Sequence, residues 1–343
     1  MATYWQIAAG SGARNYSKLF LQYGIAFVGE EQNATMRDVQ KGDIVALKVG
    51  LCELKAAGEV VERNGKAAGC GDKNWLSDID GWDLPAYCYV DWHVPEKPVQ
   101  TYGFTRETIE QIHRDNLKSD INQILALPVR APDSEPSETK SIENDDLLEF
   151  LVVQGLRPSA ASDLTEKLGR IRLLAQYYYK ECEGNDIREH ETRSFLVIPF
   201  LLALGWSEQQ IKIELPCSTG TMDIACFSEP YRRKPNDCVL IVETKQFSSG
   251  LDYAPEQACT YAGDFPACRV VLVTNGCRYK AYVRRDDGSF STTPSAYLNL
   301  LNPRDLYPLD PKNVKGALEV LRWLLPDALK GTHNQAMHTG VTL

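Results

Sequence analysis

The chain has 343 residues, about twice the usual length of one domain, so two domains are expected. Hydrophobic residues at 43% and charged residues at 24% are ordinary for a globular protein and exclude wholesale disorder. The net charge of −9 argues at first against a nucleic-acid binder, but residues 131–150 hold 1 Lys+Arg against 7 Asp+Glu, a net of −6. Residues 1–130 net −3 and residues 151–343 net 0, so a local basic cleft is permitted in either part.

No run of about 18 apolar residues occurs, so no membrane span is expected. Met1-Ala2-Thr3-Tyr4-Trp5-Gln6 lacks the basic start and apolar core of a signal peptide, and a cytoplasmic location is the expectation. The ten cysteines show no C-x-x-C spacing. Several lie in apolar runs, as Cys238 does before Val239-Leu240-Ile241-Val242, and read as reduced core residues.

In chain order, residues 5–9 read as a strand, 16–23 as a helix stopped by Gly24, and 25–28, 44–47, 56–61 and 86–92 as further short strands. Many short strands with one or two helices suggest a small curled β-barrel over residues 1–126. Residues 127–145, with Pro132, Pro136 and 5 acidic against 2 basic residues, read as an acidic linker. Residues 146–184 have helical spacing broken near Gly155 and Pro158 and suggest a bridge between the halves. Residues 185–330 form a second, mixed α/β domain, and 331–343 a tail.

The second domain carries a chemical constellation. Residues 187–204 predict an apolar helix ending at Gly205, with Pro199 expected to kink it. Thr221-Met222-Asp223-Ile224-Ala225-Cys226-Phe227 and Cys238-Val239-Leu240-Ile241-Val242-Glu243-Thr244-Lys245 predict paired strands joined by a polar turn. Glu243 and Lys245 are two apart and share a strand face. Five apolar residues precede Glu243, so its strand is central and a charge there is costly unless paired or ligated. A plain Glu243–Lys245 salt bridge answers that need. So does a hard divalent cation held by Asp223 and Glu243, with Lys245 orienting the attacking water.

Spacing alone does not choose between the two, but Glu191-Thr192-Arg193, Pro199 to Trp206, Asp223-Ile224-Ala225, Val242-Glu243-Thr244-Lys245, Gln257-Ala258-Cys259-Thr260-Tyr261 and Leu272-Val273-Thr274-Asn275-Gly276 with Tyr279 carry a family resemblance that favours the second. Residues 185–285 resemble the PD-(D/E)XK nuclease superfamily, most closely the N-terminal nuclease domain of type I restriction motor subunits. The resemblance implies a restriction-endonuclease-like core, a mixed central sheet flanked by helices. It also implies Mg²⁺ on Asp223, Glu243 and the Thr244 carbonyl, catalysis by Lys245, and a supporting Gln257-x-x-x-Tyr261 pair on one helix face. A glutamate on the first helix is implied as well. Glu189 fits by its distance from Thr192-Arg193, although Asp186-Ile187-Arg188-Glu189 also reads as a capping box, and Glu191 stays open. His190 reads as a surface residue. Arg232, Arg233 and Lys234 in the hairpin turn, and Arg284-Arg285, are candidate phosphate contacts.

Trp5 to Gly10, Lys41 to Leu47, Ala57 to Val61 and Val90-Asp91-Trp92 resemble the PUA-like group that includes EVE and YTH domains. That resemblance implies a modified base flipped into an aromatic pocket. Tyr16, Trp75, Trp82 and Trp92 are the candidate walls, with Asp83 or Asn15 for hydrogen bonds; core packing is the competing reading for each tryptophan. The expected whole is a modification-dependent restriction endonuclease similar to type IV systems. It would act with Mg²⁺ on modified duplex DNA as a homodimer or by pairing on DNA. Two rivals remain: a nuclease gated by a nucleotide or RNA at the first domain, and a silent nucleic-acid-binding relative.

Overall fold

A computed structural model describes residues 2–10, 15–29, 32–63, 65–69, 86–133, 139–182, 186–232, 237–251, 254–307 and 314–330. The chain divides into two compact units, Met1–Glu138 and Thr139–Leu343, and each is built on its own mixed sheet. No described helix is long and apolar enough to cross a membrane.

The first unit contains β1 (Tyr4–Ala8), α1 (Ser17–Tyr23), β2 (Ile25–Val28), α2 (Asn33–Met36), β3 (Ile44–Val49), β4 (Glu53–Val61), β5 (Ala68–Gly69), β6 (Ala86–His93), β7 (Val99–Gln100), β8 (Ile109–Gln111) and α3 (Asp115–Leu125). The ladder runs β2-β6-β4-β3-β1-β8, with β5 on β6 and β7 on β4; β1 and β3 are parallel. Its end strands, β2 and β8, do not pair with each other among the described residues, so the sheet is a curled half-barrel rather than a closed barrel. The sequence explains the opening once both faces are read. Trp5, Ile7, Val45, Leu47, Val60 and Trp92 join one core with α1, whereas Ile44, Ala46 and Ala57 join a second with Leu117, Ile121 and Ile124 of α3. A sheet with two covered apolar faces has no single interior to close around. Asp43 locks β1 to the start of β3, its carboxylate accepting from Trp5 Nε1 and from the Gln40 and Thr3 N–H groups, each at 3.0 Å.

The second unit contains α4 (Asn144–Val153), α5 (Pro158–Lys180), α6 (Glu189–Thr192), α7 (Ile198–Ala203), β9 (Ile211–Cys217), β10 (Gly220–Phe227), β11 (Cys238–Thr244), α8 (Ala254–Tyr261), β12 (Val270–Thr274), β13 (Arg278–Val283), β14 (Ala296–Asn299), α9 (Ala317–Leu324) and α10 (Pro326–Lys330). The sheet order is β14-β13-β12-β11-β10-β9, with β11 and β12 parallel. Every residue of β11 is buried, as its apolar run requires of a central strand.

Three expectations need correction. The helices expected as a bridge instead belong to the second unit's core, where Leu147, Leu151, Leu164, Leu168, Ile171 and Ala175 join Leu196, Phe200, Ile224 and Leu240. The described ends of the acidic linker are also bonded. Arg130 and Asp133 donate N–H groups to Trp92 and Gln22 carbonyls at 2.7 and 2.8 Å, and Ile142 donates to Pro303 at 2.8 Å. Main-chain hydrogen bonds hold both ends, and at the second Ile142 is also buried in the core. Finally, the helix before Gly205 does not merely kink at Pro199. Between α6 and α7 it widens into a π-helical turn, Arg193–Val197, ahead of the proline that cannot donate an N–H. The nine described cysteines are free thiols, and burial raises Cys88 to about 12.

The β12–β13 turn packs against the helix that starts the site. At Gly276 φ is +85°, and a Cβ there would lie 2.6 Å from Leu196 Cδ1 and 2.8 Å from Thr192 Cγ2. Gly276→Ala is therefore expected to lose about 2 kcal/mol, from left-handed strain and overpacking together. Urea unfolding measures it, and wild-type stability in the variant would show that the turn has room to relax.

Candidate active site

Glu243 ends the buried apolar run of β11 and is itself 2% exposed. One carboxylate oxygen, Oε1, accepts from Lys245 Nζ at 2.7 Å, so the two-residue spacing does put both charges on one side. The other, Oε2, is buried with no hydrogen-bond partner. Burial drives the Glu243 pKa up, the Lys245 bond opposes this, and the nearby charges of Asp223 and Glu189 add to the rise, leaving it at about 6. Lys245 is shifted upward: burial pulls it down, but the bond to Glu243 and the charges of Glu243, Glu189 and Asp223 outweigh that.

Asp223 enters from β10. The register pair Ile224↔Val242 brings it beside Glu243, as expected from the hairpin. Its Oδ2 accepts the Thr244 N–H at 2.6 Å and the Thr244 hydroxyl at 2.8 Å, while Oδ1 faces Arg193 Nη1 at 3.3 Å. Thr244 thus serves first as a double donor that orients Asp223. The strand end is fixed in turn by β12, where the Lys245 N–H donates to the Thr274 carbonyl at 2.8 Å.

The two helix glutamates separate by their bonds. The capping residue is Arg188, not Asp186, and Glu191 reaches back to accept its N–H at 3.0 Å. Glu189, two residues earlier, is released from capping. Its pKa is raised by burial and then by Asp223, while Lys245 and Arg193 pull it down, which places it in the same field as the strand residues. His190 is exposed.

Gln257 and Tyr261 of α8 do pair, Gln257 Nε2 donating to the Tyr261 hydroxyl at 2.6 Å. Among the described residues neither bonds to Asp223, Glu243 or Lys245; Tyr261 packs in the cluster with Met222 and its hydroxyl crowds Gly220. The pair braces α8 against the β9–β10 turn. Arg232 is exposed, and Arg233 and Lys234 lie outside the described residues. Arg284 is committed to structure, donating to the Ala262 carbonyl at 2.6 Å and covering the Phe290 ring.

Of the aromatic candidates in the first unit, Tyr16 and Trp92 are corrected to core residues. Tyr16 packs on Phe27 with ring centroids 5.4 Å apart, and Trp92 donates its indole N–H to the Ile25 carbonyl at 3.2 Å. Neither face is free to stack on a base. Asn15 makes an Asx turn leading into α1, its Oδ1 accepting the Ser17 N–H at 3.1 Å. Trp75, Trp82 and Asp83 lie outside the described residues.

Arg193 and Glu214 escaped the sequence reading as site residues. Arg193 sits inside a quoted motif and could have been found by asking what neutralises three neighbouring carboxylates; nothing local marks Glu214. Among the described residues no three His, Cys, Asp or Glu side chains form a ready-made metal cage. The donor chemistry nevertheless fits a hard cation: Glu243 Oε2 is an unpartnered buried acceptor, and Asp223 Oδ1 holds its arginine only at a long 3.3 Å. A scan against protein-family models and a search of curated proteins both returned no match.

The raised Glu243 pKa makes stability depend on pH in the absence of a cation. The folded state keeps its proton to about 6, above the ordinary 4.5, so the stabilising contribution is complete below 4.5 and is lost as pH rises through 6. Glu243→Gln cannot ionise and should gain up to about 2 kcal/mol over wild type between pH 4.5 and 7.5. Urea unfolding in a chelator measures this; parallel pH curves for the two proteins would contradict it.

Proposed function

We propose that the second unit is a Mg²⁺-dependent DNA endonuclease. The observation that carries this reading is the buried Glu243, paired to Lys245 through one oxygen and unpartnered at the other, beside Asp223. A structural salt bridge alone would not leave a buried carboxylate oxygen unsatisfied.

In this reading Glu243 Oε2 and Asp223 Oδ1 hold the cation, with the Thr244 carbonyl and Glu189 as further oxygen donors. The cation would supply Lewis acidity for a phosphoryl oxygen and for the attacking water. Thr244 fixes the Asp223 carboxylate through its two hydrogen bonds, so that only one oxygen is left to turn. Lys245, held 2.7 Å from Glu243, offers its remaining N–H groups to the water and to the phosphate, orienting one toward the other. Arg232, Arg233 and Lys234 extend the phosphate contacts.

We assign to the first unit the choice of substrate, a modified base in duplex DNA, with Trp75, Trp82 and Asp83 as the remaining pocket candidates. Cutting both strands requires two active sites, hence a homodimer or pairing on DNA, and a cytoplasmic setting suits such a defence enzyme. The test is cleavage of base-modified phage DNA with Mg²⁺ against unmodified DNA. Glu243→Ala and Lys245→Ala should each lower the rate at least about a thousandfold while circular dichroism stays native. Undiminished cleavage by either variant would remove the site from the reaction. Equal cleavage of both DNAs would remove the base-reading role from the first unit.

A further inference from the structure

Arg193 opens the π-helical turn before α7, and its side chain is only 13% exposed. A guanidinium so enclosed needs acceptors, and it has two of unequal quality. Nη2 lies 2.8 Å from Glu214 Oε1, a normal charge-assisted distance; Nη1 lies 3.3 Å from Asp223 Oδ1, which is long for one. Its anchor is therefore Glu214, and its hold on Asp223 is loose.

Glu214 is unusual in its own right. It stands on the edge strand β9 between the pairs Met222↔Leu215 and Ile224↔Ile213, opposite Asp223. Its φ of +52° is the one positive value at a non-glycine residue among those described. Its side chain is 65% exposed, so burial does not demand this conformation. A left-handed glutamate costs about 1 kcal/mol or more and persists where its surroundings require it. Here the twist coincides with a carboxylate aimed at Arg193.

Asp223 completes the geometry. Thr244 holds Oδ2 by two short bonds, which leaves Oδ1 as the oxygen free to change partner. From this arrangement we propose that Arg193 is a placeholder for the divalent cation, covering Asp223 Oδ1 when the site is empty and yielding it on cation entry. Glu214 retains the displaced guanidinium. Both are positioning residues that set cation affinity, in opposite directions; the proposal rests on the nuclease reading of the site.

Calorimetric titration of Mn²⁺ into the DNA-free full chain tests it. Arg193→Gln removes the competitor and should tighten binding about fivefold to tenfold; Glu214→Gln frees Arg193 to close on Asp223 and should weaken binding by a similar factor. The double variant should match Arg193→Gln within about twofold, because Glu214 acts through Arg193. Arg193→Lys should restore affinity toward wild type. If Arg193→Gln does not fold, the weakening by the exposed Glu214→Gln, with circular dichroism unchanged, still decides the matter. Shifts of the same sign, no shift, or a Glu214→Gln effect that survives in the double variant would each overturn the placeholder role. Failure of the wild type to bind Mn²⁺ would overturn the nuclease reading and this proposal with it.

Discussion

An ionised carboxylate at the end of a fully buried strand has to be neutralised, hydrogen-bonded or protonated, and Glu243 draws on all three without exhausting any. Lys245 satisfies one oxygen, the pKa near 6 supplies partial protonation, and Oε2 is left over. The surrounding structure is arranged about this incomplete compensation. β12 holds the strand end by the Lys245 N–H bond to Thr274, Thr244 turns its donors on Asp223, and the Gly276 turn lets the first helix approach closely enough to bring Glu189 and Arg193 in.

The carboxylates repel each other, and among the described residues their number exceeds that of the nearby cations. Glu189, Asp223, Glu243 and Glu214 stand against Lys245 and Arg193. An excess of negative charge is unfavourable to folding, and under the nuclease reading proposed above it is the feature that would favour a divalent cation. The π-helical turn and the left-handed Glu214 are consistent with this balance, since both are locally costly conformations found where charged side chains converge.

The first unit obeys a simpler constraint. Both faces of its sheet are apolar, so helices cover both and the strands remain an open, curled layer. Two of its buried polar residues are satisfied internally, Asp43 by three donors and Gln6 by Thr105 and the Glu107 carbonyl. The described part is thus a finished scaffold, in which Tyr16 and Trp92 support the core rather than face a ligand.

Much of this was legible in the amino-acid order. The alternation and apolar runs located most strands, the two-residue spacing placed Glu243 with Lys245, and the hairpin brought Asp223 to them, because strand periodicity is local and its pairing short in range. The sequence did not show that Trp92 and Tyr16 are interior, since an aromatic residue in a short strand or at the start of a helix suits a core and a pocket equally. It could not separate Glu189 from Glu191 either, because both can cap and the backbone alone decides which does. Arg193 and Glu214 are 21 residues apart, and only the packing of a helix against an edge strand makes them partners. The sequence by itself therefore determined which residues carry charge and on which strand face they lie; the tertiary structure decided which charges meet, because compensation of a buried carboxylate depends on distances that no local pattern encodes.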